Sequence, residues 1–480
     1  MIASLKPYTA YKDSGVEWLG KVPQHWDVRG LRNLLENVTE RDRPDIPLLS
    51  VVREKGVIQR DTTSKDENRN FVPDDLRNYK VVRPGQFALN KMKAWQGSYG
   101  VSQYSGIVSP AYFVFDISAV EGAFFHSAIR SRAYISFFAQ ASDGVRIGQW
   151  DLSQARMKEI PFFLPPVPEQ AAIVRFLDHM DRRIQRYIRA KQKVIKLLEE
   201  QKQAIIHRAV TGQIDVRTGQ PYPAYKPSGV EWLGDVPEHW EVLTLRRTIS
   251  RAVDGPHHSP SYLDSGIPFL SARNIKSDRW SLDDAKFISE GDYREFSKRV
   301  VPEVGDVLYT KGGTTGVARA VDLTFRFQVW VHVAVLKVKR HKVASDYLAL
   351  VLNSPRCYEQ AQLFTRGATN QDLGLGRMKG IVFALPPLSE QEALLTPLEE
   401  GTQAVRTAVD NARQEIDLIR EYRTRLIADV VTGKVDVREA AAHLPDQSEE
   451  PGPFAEEDFS AGADEDIVDD LDTAPEEADA

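Results

Sequence analysis

The 480-residue sequence has one cysteine, Cys357. That excludes an internal disulfide framework and a cysteine-rich zinc site, and it fits a reducing compartment. The lone thiol is expected to be a small packing residue rather than a nucleophile. No run of about 18 apolar residues occurs, so no membrane span is expected. The opening residues, MIASLKPYTAYKDSG, lack the apolar core of a secretory signal, and the expected location is cytoplasmic. Positive charge is missing from the C-terminal stretch: residues 441–480 hold 15 Asp and Glu and no Lys or Arg. Taking those fifteen charges out of the net −6 leaves residues 1–440 at +9. A basic body therefore carries an acidic tail poor in large apolar residues, which is expected to be disordered.

Motifs of self-contained chemistry are also missing. There is no G-x-x-x-x-G-K-[ST] phosphate loop; KGGTTGVAR lacks the Gly-Lys pair. The single E-x-K triplet, Glu200-Gln201-Lys202, falls inside a predicted long helix. His257 and His258 sit in a DGPHHSP loop without an H-E-x-x-H pattern, so no metal site is expected there. Catalytic, cofactor and metal residues are thus expected to be absent from this chain.

What is present is repetition, the feature that decides architecture. Tyr8–Val28, YTAYKDSGVEWLGKVPQHWDV, returns as Tyr222–Val242, YPAYKPSGVEWLGDVPEHWEV, with 16 of 21 positions identical. Asp151–Gln170, DLSQARMKEIPFFLPPVPEQ, returns as Asp372–Gln391, DLGLGRMKGIVFALPPLSEQ, with 12 of 20 identical. Leu164–Arg217 returns as Leu385–Arg438, both closing on TG-x-[IV]-DVR. Between these repeats the middles, Leu31–Trp150 and Leu245–Gln371, share only scattered residues such as Gly85 with Gly305 and Lys91 with Lys311. The spacing between copies grows from 214 to 221 positions across this region, so the second middle is about seven residues longer. One frame is used twice with two divergent inserts.

The middles read as mixed α/β (α+β) modules. Tyr112–Ser118 and Val329–Val338 have strand composition, and Gly122–Ser142 and Ser345–Phe364 suit short helices. The repeated tails read as long amphipathic helices. The first has an apolar seam at Ile173, Leu177, Met180, Ile184, Tyr187, Val194, Leu198 and Ile205. The second has one at Leu394, Leu398, Val405, Ala412, Ile416, Ile419 and Leu426. Both follow heptad spacing, and roughly 40 residues make a rod of about 60 Å. Each seam needs cover, and the other copy supplies it. The expectation is two pseudo-two-fold-related modules separated by two long antiparallel coiled-coil helices. The boundaries are 1–164 (entry motif and first module), 165–212 (first helix), 213–385 (linker, second entry motif and second module), 386–435 (second helix) and 441–480 (acidic tail).

A pseudo-dyad suits duplex DNA, whose backbone has local two-fold symmetry. The basic body suits phosphate contact, and two divergent heads would read an asymmetric, bipartite target. Candidate DNA-binding residues lie in polar loops of the middles. The first set is Lys91, Lys93, Gln96, Ser98 and Tyr99, around Trp95, with Arg146 and Gln149. The second is Lys311, Thr314, Thr315 and Arg319, with Arg366, Asn370 and Gln371. Arg, Lys, Asn and Gln can pair with base edges, although for any one of them phosphate contact or plain solvation is the commoner role. Trp18, Trp26, Trp232 and Trp240 are expected to pack the entry segments rather than stack on bases. The basic run Arg182-Arg183, Arg186, Arg189, Lys191, Lys193 and Lys196 reads as a solvated helix face that could also meet phosphate or an acidic partner.

Taken together, SGVEWLG-x-VP-x-HW, LPP-x-x-EQ and TG-x-[IV]-DVR, each present twice, resemble the specificity subunit of Type I restriction–modification systems. The likeness covers nearly all of 1–440. It implies that each middle is a target recognition domain and that the helices are a spacer docking two methylation subunits. It further implies double-stranded DNA as ligand, and a complex that modifies adenine with S-adenosylmethionine and, where restriction subunits join, uses ATP with Mg2+. No N-P-P-[YF] motif occurs here, so the methylation chemistry would belong to the partner. The reading left beside this one is a coiled-coil protein-binding scaffold without sequence-specific DNA recognition. The acidic tail lies outside the family pattern.

Overall fold

The computed structural model describes residues 5–16, 19–53, 55–60, 75–144, 150–366 and 372–445. The chain divides into two compact units, Met1–Ala190 with Glu415–Ala480, and Lys191–Gln414. Each unit holds one module and part of both long helices.

In the first unit, an entry hairpin pairs Tyr11–Asp13 with Lys21–Pro23. The chain then enters strand Asp27–Gly30, which pairs antiparallel with Pro161–Leu164. The module therefore begins and ends on adjacent strands. Its centre is a four-stranded antiparallel sheet in the order Leu35–Val38, Tyr112–Ile117, Phe87–Asn90, Tyr99–Val101. Side chains alternate between the faces, as strand geometry requires. Phe87, Leu89 and Phe115 pack with Phe124, Phe125, Tyr134 and Phe138 of helices Gly122–Ile129 and Arg132–Gln140. Ala88 and Val114 face the other way, onto Leu49, Val51, Val57, Val82 and Val108.

The second unit repeats this plan. Strand Glu241–Thr244 pairs with Val382–Leu385, and the central sheet runs Ile249–Asp254, Val333–Val338, Val307–Thr310, Ala318–Ala320. Val307, Tyr309, Ala334 and Leu336 meet Tyr347, Leu348 and Leu352 on one face. Leu308, Val333 and Val335 meet Val253, Leu270, Ile275 and Val329 on the other. A three-stranded sheet, Lys286–Ile288, Ile267–Leu270, Gln328–Val329, holds part of this second layer. The middles thus share strand order as well as position, although their sequences scarcely match. Cys357 is buried beside this core, and burial pushes its thiol up to about 12, as suits a packing residue.

The long helices span Val167–Val210 and Leu388–Val431, 44 residues each. Within the first unit they run antiparallel: Arg423 pairs with Asp181, while Tyr187 Oη donates to Glu415 Oε2 at 2.6 Å. Within the second unit Arg413 pairs with Glu199 at 2.8 Å. Ile173, Leu177, Met180, Ile184, Leu394, Leu398, Val405, Ala412, Ile416 and Leu426 are buried. Leu198, Ile205 and Ile419 are half-buried. Tyr187 and Val194 are corrections, being 42% and 45% exposed. Ile188 and Ile206 take the buried positions beside Tyr187 and Ile205. A helix of 3.6 residues per turn drifts about 20° per heptad against a 3.5-residue repeat, so the next residue takes over the seam.

Both helices end the same way. Gly212 N–H donates to Ala209 O and Gln213 N–H to Arg208 O; Gly433 N–H donates to Val430 O and Lys434 N–H to Asp429 O. These are Schellman caps, with glycine in the left-handed region at φ +71° and +75°. Each glycine also lies against the proline of its V-P-x-H-W motif. A Cβ on Gly433 would sit 2.3 Å from Pro23 Cδ, and one on Gly212 2.3 Å from Pro237 Cδ. Gly433→Ala is therefore expected to lower stability by about 2–4 kcal/mol, combining backbone strain with overpacking. Gly15→Ala, at the same φ but in open space, should cost only about 1 kcal/mol. Urea melts followed by tryptophan fluorescence compare the two.

Candidate nucleic-acid interface

The repeated L-P-P-x-x-E-Q motif starts each long helix. Pro166 O accepts from the backbone N–H groups of Glu169 and Gln170, and Pro387 O from those of Glu390 and Gln391. The helix start places a glutamate in the first turn, where the helix dipole favours negative charge. Glu169 is buried and collects three groups from the entry segment. Tyr8 Oη donates at 2.7 Å, Trp26 Nε1 at 2.9 Å, and His25 Nε2 lies at 2.7 Å. A carboxylate only accepts, so His25 carries its proton on Nε2. Burial and the Glu169 charge together push the Tyr8 hydroxyl pKa well up.

Glu390 repeats the arrangement with Tyr222 Oη at 2.8 Å and His239 Nε2 at 2.7 Å. Its third donor is Arg217 Nη2 at 3.0 Å, and Trp240 Nε1 is left buried without a partner among the described residues. The neighbouring glutamines hold the modules. Gln170 Oε1 accepts from Glu121 N at 2.8 Å, at the start of helix Gly122–Ile129, and Gln391 Oε1 accepts from Ala344 N at 2.9 Å, at the start of helix Ser345–Leu352.

The T-G-x-[IV]-D-V-R exits arrive at the same junctions. In the second unit Arg217 pairs with Asp215, and Asp215 N donates to Gln220 O at 2.9 Å. In the first unit Arg438 pairs with Asp436 and lies 5.2 Å over the Tyr8 ring, while Asp436 N donates to Lys6 O at 2.9 Å. All three repeated motifs thus form one junction per unit. Trp26 and Trp240 are fully buried there and Trp232 is partly buried, whereas Trp18 lies outside the described residues.

Several candidate DNA-binding residues prove structural. Lys91 Nζ pairs with Asp151 at 2.9 Å, and Lys91 O accepts from Leu152 N. Lys311 Nζ pairs with Asp372 at 2.6 Å, lies 3.5 Å from buried Asp254, and its carbonyl accepts from Leu373 N. The two lysines tie each central sheet to its return segment. They are corrected to structural residues, and the signal was their identity in both copies, since residues reading different sequences should differ. Tyr99 is a second correction: it is fully buried with its ring 4.3 Å from Phe138. Ser98 and Thr315 are likewise buried.

Lys93 and Gln96 are half-buried, in the loop where Trp95 packs 5.2 Å from Trp150. Thr314 and Arg366 are exposed. Arg319 is half-buried, 5.0 Å over the Trp280 ring and 3.7 Å from Asp322. Arg366 shares two backbone hydrogen bonds with Asp372, which brings it beside the Lys311 loop. Arg146, Gln149, Asn370 and Gln371 lie outside the described residues. His257 lies 3.5 Å from Asp254, and the His258 ring packs on Phe296.

Against this geometry, the likeness to known proteins is specific. A family model described as the Type I restriction modification DNA specificity domain matches residues 258–405. That span takes in most of the second module and the start of its long helix. It is 21% identical over 451 residues to a Methanocaldococcus jannaschii protein assigned as the MjaX type I restriction enzyme specificity subunit, covering 88% of this chain and 96% of that one. It is also 21% identical over 209 residues to the EcoKI specificity subunit of Escherichia coli, covering 42% and 44% of the two chains. The fold is similar to a chain solved in a study of complex assembly and conformational transition of the type I R-M system. That match has a TM-score of 0.58 at 16% identity, over 86% of this chain and 99% of that one. Among the described residues, no helix is long and apolar enough to cross a membrane.

Two outcomes test the site's physical basis. Glu169→Ala would leave Tyr8 and Trp26 donors buried and unpaired, and should cost about 2–4 kcal/mol, against about 1 kcal/mol for Tyr8→Phe; chemical denaturation separates them. His126, whose Nδ1 accepts from Val101 N at 3.1 Å, has its pKa lowered from 6.5 to about 4 by burial and by neighbouring Arg130. The unfolded chain takes up that proton first as pH falls. The neutral ring's contribution is therefore complete above pH 6.5 and is lost progressively between about pH 6.5 and 4, to the extent of roughly 2–3 kcal/mol. His126→Gln should flatten that part of the stability–pH curve; an unchanged slope would refute the assignment.

Proposed function

We propose that this chain is the DNA-specificity subunit of a Type I restriction–modification system, that it is itself non-catalytic, and that each module reads one half of an asymmetric, bipartite target. In this reading the module spans are 1–164 and 213–385. The helices, 165–212 and 386–435, set the spacing of the half-sites and dock two methylation subunits. Adenine methylation with S-adenosylmethionine belongs to those partners, ATP and Mg2+ serve the restriction subunits where these join, and the assembly works in the cytoplasm.

The observation that carries this reading is the contrast between frame and modules. The Glu169 and Glu390 junctions are built from matching residues. The loops on the matching central sheets differ in length and sequence. A frame held constant while its two surfaces diverge fits a scaffold whose surfaces meet different ligands. Base reading is assigned to Lys93, Gln96, Arg146 and Gln149 in the first module and Thr314, Arg319, Arg366, Asn370 and Gln371 in the second, with phosphate contacts supplying register.

Single-molecule sequencing of DNA from a host expressing this chain with its methylation partner should reveal one bipartite adenine-methylated motif. Replacing 31–150 by another module should change one half of that motif and leave the other intact. Removing one heptad from both helices should alter the gap or abolish methylation, with the half-sites unchanged. A motif indifferent to the module swap, or no motif at all, would favour the protein-binding scaffold.

A further inference from the structure

In the second module, the loops that carry His257, Lys311 and Thr314 leave the same end of the central sheet. Strands Ile249–Asp254 and Val307–Thr310 stop there, and Ala318–Ala320 and Val333–Val338 start there. A buried carboxylate marks that end. Asp254 pairs with Arg299, and its Oδ2 lies 3.5 Å from both Lys311 Nζ and His257 Nε2. Lys311 is already paired with Asp372, which leaves Arg299 as the main partner of Asp254. The grip is double: Arg299 Nε donates to Asp254 O at 2.8 Å, and Nη2 donates to Asp254 Oδ1. The arginine backbone is fixed as well. Its N–H donates to Phe296 O at 3.0 Å, at the end of helix Glu290–Ser297, and its carbonyl accepts from Arg251 Nη2 at 3.3 Å.

Those bonds use one edge of the guanidinium, Nε with one hydrogen of Nη2. The end of the fork is left over. Nη1 has no partner among the described residues, and the side chain is 44% exposed. His257 Nε2 lies 3.4 Å from Nη2, too far for a strong bond, on an exposed ring. Two parallel N–H groups held at the surface match the O6 and N7 acceptors that guanine shows in the major groove. An arginine whose rotamer is already locked loses less freedom when it binds there. The clamp is also confined to this module. By strand register Val253 matches Val38, so Thr39 stands where the second module has Asp254. Six residues before the matched Gly85 and Gly305 stand Tyr79 and Arg299. Lys91 and Lys311, identical in both copies, are structural. Asp254 and Arg299 differ between copies, as residues serving different half-sites should.

We propose that Arg299 is a specificity-determining residue of the second module, reading a guanine of its half-site through Nη1 and Nη2, and that Asp254 is the residue that positions it. This rests on the reading of each module as the reader of one half-site, and adds a residue to the second set. A lysine could keep the ion pair with Asp254 but has no planar fork to pair with two acceptors. The same arginine in contact with a phosphate would add affinity without selecting a base, so the two roles differ in what they do to discrimination.

The test uses the full chain in complex with its methylation partner. The swap of 31–150 first shows which half of the methylated motif belongs to the second module. In Arg299→Lys, single-molecule sequencing should show one G·C position of that half accepting other bases, with the gap and the other half unchanged. Arg299→Gln combined with Asp254→Asn removes both charges together, leaves no buried unpaired carboxylate, and should relax the same position. Asp254→Asn alone should relax it partly. Duplex binding then identifies the atom. Placing 7-deazaguanine, which lacks N7, at that position should cost the unmodified complex about ten-fold in affinity and the Arg299→Lys complex little. A motif unchanged in every variant overturns the proposal, as does a second half-site without a G·C pair. Weakening spread evenly over all positions of the half-site would mark Arg299 as structural and overturn it too. So would intact discrimination with a log–log salt slope shallower by about one, the signature of a lost phosphate contact. An unmodified complex that methylates no bipartite motif would instead refute the half-site reading itself, and that is seen before any variant is made.

Discussion

A buried carboxylate at the first turn of each long helix is the interaction on which the rest depends. Glu169 and Glu390 are almost wholly out of water, a position tolerable for a negative charge only if it is saturated with donors. The donors come from segments far away in sequence: Tyr8, His25 and Trp26 for one, Tyr222, His239 and Arg217 for the other. Satisfying the charge therefore fixes where the entry segment lies against the helix. The adjacent glutamine, spending its amide on a module backbone, fixes the module as well. Helix, entry and module are oriented by two consecutive side chains.

The junctions also explain why the motifs repeat as a set. The glycine of T-G-x-[IV]-D-V-R is needed for its left-handed cap, and equally because the V-P-x-H-W proline fills the space a Cβ would take. The tryptophan of that motif packs beside the same glycine. Each motif is thus the complement of another, and none could drift alone. In the first unit the exit strand joins the entry strand without a covalent link, through Lys6 and Asp436; in the second, Asp215 and Gln220 occupy the corresponding place on a continuous chain.

Much of this was legible in the sequence. The repeats marked the frame, and the heptad spacing of apolar residues located two long helices. Two things were hidden. The seam slipped from Tyr187 to Ile188 and from Ile205 to Ile206 because a heptad template accumulates error along a helix that keeps its own pitch. The shared sheet of the modules was invisible because a strand needs only an apolar residue at every second position. Phe-Ala-Leu-Asn and Val-Leu-Tyr-Thr satisfy that equally without resembling one another. The candidate readers fared unevenly for a related reason. Polarity in a loop does not separate a lysine facing solvent from one, such as Lys91 or Lys311, that closes a sheet onto its return segment. Burial decides that, and burial is set by residues about sixty positions away.

The pairing of Asp27–Gly30 with Pro161–Leu164, and of Glu241–Thr244 with Val382–Leu385, carries a consequence for inheritance. A module leaves the frame and returns to it through two neighbouring strands, so its interior can change in length without moving either attachment point. The coding segments on both sides are near-duplicates of those around the other module. Homologous exchange within those segments would transplant a whole surface while preserving every contact at the junction. A genome could in that way exchange a whole module surface in one step, by recombination rather than by gradual mutation of its exposed residues.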